Sequence, residues 1–223
     1  NLPQGVIEKD ANEIIPEEKV FKYGSINKEG KGSVAGFANH FRYKLLYMSE
    51  NTFWVDTDVL CLHPLIIENE LIFGWENSEF INNAVIGTKN KGNLLFRHLV
   101  EYCEDPFQFK KWDDYKILCK KFYGRFIKGG STDYIPWGLT GPRALTGYVE
   151  QLNLLDYAVD KKCFYPVESA AWKDLFYSDR SNLELDGTCY LHLWNEQLRR
   201  ESIDKNQVFG VNSIYEYYAR SFS

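Results

Sequence analysis

Residues 53–63 read FWVDTDVLCLH, and the fold turns on them. Phe53, Trp54 and Val55 are aromatic or β-branched, and Val59, Leu60 and Leu62 resume the apolar run. The pattern predicts a buried strand that ends in two aspartates, Asp56 and Asp58. Ionised carboxylates beside a core are costly unless paired or bound to metal. Residues i and i+2 of a strand share a side, so both acids are expected to converge on one cation at the strand's end. Hard cations such as Mg²⁺ and Mn²⁺ take oxygen ligands, often one or two carboxylates plus substrate phosphates. The plain alternative is a solvated turn that carries two acids.

Upstream, residues 33–48 predict a helix with Ser33 as its N-cap. Val34, Phe37, Phe41, Leu45 and Met48 recur at helical spacing and form its expected buried face. Asn39 and Arg42 lie three apart on another face, aimed in this reading at the pocket of the aspartates; the alternative for Arg42 is a surface or salt-bridged arginine. Downstream, 71–75 and 80–86 read as strands. The second holds Asn82 and Asn83, and buried amides need partners, either backbone or a ligand. Helices are expected over 93–103, capped by Asn93, with Leu95, Leu99, Tyr102 and Cys103 inward. Others cover 114–128, with Tyr115, Leu118, Cys119 and Phe122 inward, then 142–152 and 212–220. Residues 164–167 read as extended. Residues 188–194 alternate, which puts Tyr190, His192 and Trp194 on one side. At the front, Val6 and Ile7 suggest a short strand, 10–15 a helical turn stopped by Pro16, and 20–23 another extended piece.

Gly24, Gly30, Gly32 and Gly36 mark a flexible loop. Their spacing fits neither GxGxxG nor a P-loop, which argues against dinucleotide and ATPase readings. Strands alternate with helices and no linker composition interrupts them. The expectation is one α/β domain, a mixed central sheet flanked by helices.

The chain has 223 residues, 44% apolar and 16% aromatic, enough for a sizeable core. So many rings suit deep packing first and stacking on sugar faces second. A net charge of −5 argues against a general nucleic-acid binder. Lys110, Lys111, Lys120, Lys121, Arg125 and Lys128 form a local basic run. It reads first as a solvated helix face, second as a surface for a membrane or an anionic acceptor. The five cysteines show no CxxC pair, so zinc is not expected. They read as reduced, mostly buried thiols. No apolar run has the length of a membrane span and no signal peptide is visible, so the expected location is cytoplasmic.

Taken in order, these stretches resemble a known family. FWVDTDVLCL (53–62) looks like the DXD motif of nucleotide-sugar-dependent glycosyltransferases of the GT-A fold. FANHFRYKLLYMSEN (37–51) resembles the segment that family 32 and α-1,4-galactosyl- or N-acetylglucosaminyltransferase-like enzymes place before it. INNAVIG (81–87), GLTGPRALTGYV (138–149), CFYPVESAAW (163–172) and YLHLWN (190–195) resemble, in turn, that family's asparagine strand, TGP helix, Tyr-Pro segment and C-terminal His-x-Trp-Asn. The resemblance spans about residues 33–195. At two points the sequence departs from it. Asn39 stands where the family has Asp, and the family's opening strand and helix have no counterpart ahead of Asn1, so the sequence reads as a partial chain.

The resemblance implies a GT-A-like domain that transfers a sugar, with retention, from a nucleotide-sugar donor (UDP-linked) to a glycan acceptor of capsular or extracellular type. It implies Mn²⁺ or Mg²⁺ at Asp56 and Asp58, with His192 approaching from the C-terminal side; the bland reading of His192 is a packed core histidine. Asn39, Arg42, Asn82 and Asn83 would bind donor sugar or phosphate, and Trp194 and Asn195 would close over the diphosphate. No residue is assigned as nucleophile; Asp133 reads as a loop acid first and an acceptor-side group second. The expected partners are donor and acceptor, without nucleic acid or a membrane span. Peripheral attachment at the inner membrane face is a further expectation. A haloacid-dehalogenase-type phosphatase also ends a strand in Asp-x-Asp, but it wants Thr or Val where this chain has Leu60. A glycosidase wants carboxylates about 5–10 Å apart flanking a sugar, which adjacent acids suit less well. The remaining rival is a catalytically impaired carbohydrate- or nucleotide-binding scaffold of the same fold.

Overall fold

A computed structural model describes residues 4–24, 30–66 and 68–221. Part of the glycine-rich loop, residues 25–29, lies outside the described residues. In chain order the elements are α1 Ala35–Met48, β1 Thr52–Val55, β2 Val59–Cys61, β3 Leu71–Trp75, β4 Ile81–Thr88, α2 Leu94–Glu104 and α3 Tyr115–Phe122. Then follow α4 Pro142–Gln151, β5 Ala158–Val159, α5 Lys161–Phe164, α6 Asp174–Tyr177, β6 Tyr190–His192, α7 Asn195–Arg200 and α8 Ile214–Ser221. The fold is α/β, as expected. The residues group into two compact units. The first joins the chain up to Ser49 to Gly92–Thr140; the second joins Glu50–Lys91 to the chain from Gly141 onward.

The second unit holds the sheets. A four-stranded mixed sheet runs β1-β4-β3-β5, antiparallel except for the β3–β5 pair. A separate antiparallel ladder joins β2 to β6. β4 is buried along its whole length, so it is the central strand, and α4 packs on it. Pro142 opens α4 at its first position, where its missing N–H costs nothing. Gly74 on β3 is a close-packing site: a Cβ there would meet the Phe164 ring at 2.7 Å. Phe164, Tyr165, Leu175, Phe176 and Leu191 are fully buried around the sheet.

The first unit pairs α1 with α2, and Tyr43, Leu46, Leu95, Leu99 and Tyr102 are fully buried in it. Asn93 caps α2 by accepting from the Leu95 N–H at 2.9 Å. Asp114 caps α3 through the Ile117 N–H.

Several expectations are corrected. β1 is an edge strand paired with β4. Phe53 and Val55 are exposed because alternate residues face opposite sides and only the side of Thr52 and Trp54 is partly buried. The strand stops at Val55, and Asp56–Asp58 is a turn between two sheets. α1 buries Gly36, Asn39, His40, Arg42, Tyr43 and Leu46, while Val34 and Met48 of the expected face are exposed. Buried polar groups draw that face inward: Tyr43 donates to the Thr140 carbonyl at 3.1 Å and Asn39 to the Thr140 hydroxyl at 3.3 Å. α3 is turned the same way. Tyr115, Cys119 and Phe122 are exposed, and Lys121 is the buried residue. Phe164, expected to open an extended piece, instead closes a short helix over 161–164, and residues 165–167 form no strand, while Val6 and Ile7 are exposed outside any strand. The cysteines are free but not mostly buried: Cys61 and Cys119 are exposed, the other three half-buried. No helix among the described residues is long and apolar enough to cross a membrane.

Candidate functional site

The Asp-x-Asp turn is built by hydrogen bonds on both sides. Asp56 N–H donates to the Ala84 carbonyl of β4 at 2.8 Å, and Val59 N–H closes the turn onto the Asp56 carbonyl at 3.1 Å. Beyond it, β2 sets Val59 opposite His192 of β6, and Leu193 N–H donates to the Asp58 carbonyl at 2.8 Å. The register of this ladder delivers His192 to the two acids. Asp56, Asp58 and His192 each offer a ligand atom within 4.8 Å of the others. Strand alternation does not produce this convergence; a turn and a long-range strand pairing do.

Each of the three side chains has further support. Asp56 Oδ1 accepts from the Trp54 indole N–H at 2.6 Å. Asp58 Oδ2 accepts from the Asn195 backbone N–H at 3.0 Å, and its Oδ1 lies 3.3 Å from His192 Nε2. Burial pulls the Asp58 carboxyl upward, but the hydrogen bond and charge of His192, with the backbone N–H of Asn195, outweigh it. The carboxyl is therefore held below its usual range. His192 Nδ1 is buried and meets no hydrogen-bond partner, a condition native structures seldom leave without a use.

Rings hold the imidazole. Trp194 lies 4.0 Å from His192 between ring centroids, and Tyr165 lies 6.0 Å away. Tyr165 is fixed in turn by its hydroxyl, which accepts from the Val85 N–H of β4 at 3.0 Å. Trp194 has φ 55, ψ 41 and sits directly before α7. A bulky residue held left-handed costs about 1–3 kcal/mol and persists where its surroundings over-determine it. Here the indole N–H donates to the Val167 carbonyl at 2.9 Å.

Asn82 and Asn83 are buried in β4, next to Ala84. As consecutive strand residues they face opposite sides. The Asn82 amide donates to Glu76 at 2.7 Å, and its oxygen accepts from the Ala84 N–H at 2.7 Å. Glu76 also accepts from the Ser169 hydroxyl at 3.0 Å. Asn39 and Arg42 belong to the first unit, on the inner face of α1. Asp133 is an exposed acid in the 3-10 turn Thr132–Tyr134, also in the first unit.

Sequence reasoning missed Trp54, Tyr165 and Glu76 as supports. Alternation in β1, which puts Trp54 and Asp56 on one side, was a signal for the first. The other two depend on long-range contacts. Two carboxylates with an imidazole can hold a hard divalent cation, the carboxylates being the better ligands.

Residues 136–222 match the alpha 1,4-glycosyltransferase conserved region. The match includes His192, Trp194 and Asn195. Comparison with curated proteins and with solved structures finds no match. The chain is a glycosyltransferase.

Proposed function

We propose that this glycosyltransferase moves a sugar from a nucleoside-diphosphate donor, UDP-linked, to a hydroxyl of a glycan acceptor, with Mn²⁺ or Mg²⁺ held by Asp56, Asp58 and His192. One observation carries the reading. Two acids from a turn and a histidine from a distant strand meet within 4.8 Å, and that histidine lies inside the matched region. The cation would supply Lewis-acid neutralisation of the negative charge that builds on a departing diphosphate. In this reading the fold is of GT-A type, the Asp-x-Asp turn is its DXD motif, and transfer retains configuration at the sugar.

The chain's own residues supply position and polarity. The Asn195 backbone N–H helps keep Asp58 ionised, so it is ready to accept positive charge. Trp54 orients Asp56 through its indole N–H. Trp194 and Tyr165 fix the imidazole plane and keep water from its buried Nδ1. Together they hold the ligand atoms in place before substrate arrives, and such preorganisation gives charge stabilisation its strength.

The test is nucleoside-diphosphate release from a panel of nucleotide sugars, with Mn²⁺ and with EDTA. Metal-dependent release is expected with at least one UDP-sugar, and its loss by a factor of about 100 or more in Asp58→Asn, the scale seen when one electrostatic partner of a reaction is removed. Saccharide binding without turnover or metal dependence would replace the metal-transferase reading with that of a binding scaffold.

A further inference from the structure

The polypeptide from Phe109 to Lys128 turns its apolar side outward. Phe109, Tyr115, Phe122, Tyr123, Phe126 and Ile127 are between 44% and 80% exposed, and five of them line an open groove of about 610 Å³. Two anchors fix this orientation. Lys121, fully buried, donates to Asp113 at 2.6 Å and to the Gln108 carbonyl at 2.7 Å. One turn on, Gly124 is pressed against Phe107, whose ring a Cβ would meet at 2.2 Å. Neither anchor leaves room to rotate the rings inward.

Charge tells what the rings face. Residues 109–128 carry seven basic side chains against Asp113 and Asp114. Lys121 and Asp113 pair in the interior, so the remaining six basic side chains of the segment face only Asp114. The whole chain has net charge −5, so the segment is a cationic island on an acidic protein. Exposed rings flanked by lysines describe an interfacial surface: aromatics enter the headgroup boundary while lysine stems run alongside and keep their ammonium groups at the phosphates. Two copies meeting through this face would bring the same lysines together, which disfavours self-association. An anionic bilayer offers an apolar layer and negative charge in the order the segment presents them.

We propose that residues 109–128 dock this enzyme on an anionic membrane surface, with Phe122, Phe126 and Ile127 inserted among the headgroups and Lys111, Lys116 and Lys120 against lipid phosphates. The proposal does not depend on the metal reading, since no residue is shared.

Sedimentation of the whole chain with vesicles tests it, using phosphatidylcholine alone and phosphatidylcholine with roughly one-third phosphatidylglycerol. The chain is expected to pellet with the anionic vesicles and to bind them about tenfold or more tightly than the neutral ones, with binding reduced at about 1 M salt. Phe122→Ser with Ile127→Ser should weaken binding about tenfold or more. Lys116→Glu with Lys120→Glu should remove the preference for anionic lipid. All four side chains are exposed, and unchanged circular dichroism confirms that the variants fold. A chain that stays in solution with both vesicles overturns the proposal. So do variants that pellet as the parent does, and so does gel filtration showing an assembly that the Phe122→Ser, Ile127→Ser change dissolves while vesicles go unbound.

Discussion

At the scale of single residues, the hydrogen bonds around Asp58 and Tyr165 give two expectations. Asp58 has a folded pKa below its unfolded value, which is about 3.9. A depressed carboxyl stabilises the fold above the unfolded pKa, and that contribution is lost as pH falls through the folded value. Urea midpoints of the parent and Asp58→Asn should therefore converge on acidification below about pH 4; a gap that stays constant would mean the Asp58 contacts add nothing. Tyr165→Phe keeps the ring but strips the Val85 N–H of its acceptor in a fully buried strand. An unsatisfied buried donor costs about 1–3 kcal/mol, readable as a lower urea midpoint with unchanged slope. Trp54, Asp56, Asp58 and His192 were all visible as residue types. That Asp58 would meet His192 was implied by the family resemblance alone and not by pattern or spacing, because 133 positions of chain separate them and the Val59–His192 register joins them.

At the scale of elements, apolar spacing found α1, α2, α3, α4 and α8 but misjudged which side of α1 and α3 faces in. The reason is the same in both. Periodicity counts apolar residues, whereas a buried hydrogen-bonded polar group can claim the inner face. In α1 these are Asn39 and Tyr43, tied to Thr140; in α3 it is Lys121, tied to Asp113. If Lys121 sets the rotation of α3, Lys121→Met should be costly despite its matched bulk. It would leave the Asp113 carboxylate buried and uncompensated, a loss of about 3–5 kcal/mol. Denaturant titration measures it. A variant as stable as the parent would show that the ion pair is not what holds the helix in place.

At the scale of the whole molecule, a site that binds metal only when folded couples binding to stability. Saturating Mn²⁺ at about 100 times its dissociation constant should stabilise the chain by about 2.7 kcal/mol. A rise in melting temperature with Mn²⁺, reversed by EDTA and absent in His192→Ala, is the expected result; equal rises in parent and variant would place the ion elsewhere. The α/β class and its mixed sheet followed from the order of apolar segments, since strands alternating with helices have few ways to bury their apolar faces. The short β2–β6 ladder did not, because three-residue strands leave almost no periodic trace.

The sequence by itself determined the long helices and the β3 and β4 strands, where Asn93, Asp114 and Pro142 start their helices, and which acids stand ready for a cation. These are local properties, written in side-chain periodicity and in hydrogen bonds a few residues long. Tertiary structure alone decided that His192 joins Asp56 and Asp58, that Trp194 is held left-handed beside it, and that α3 shows its rings to solvent. Each of those depends on contacts between segments far apart in the chain, whose energies no single stretch contains.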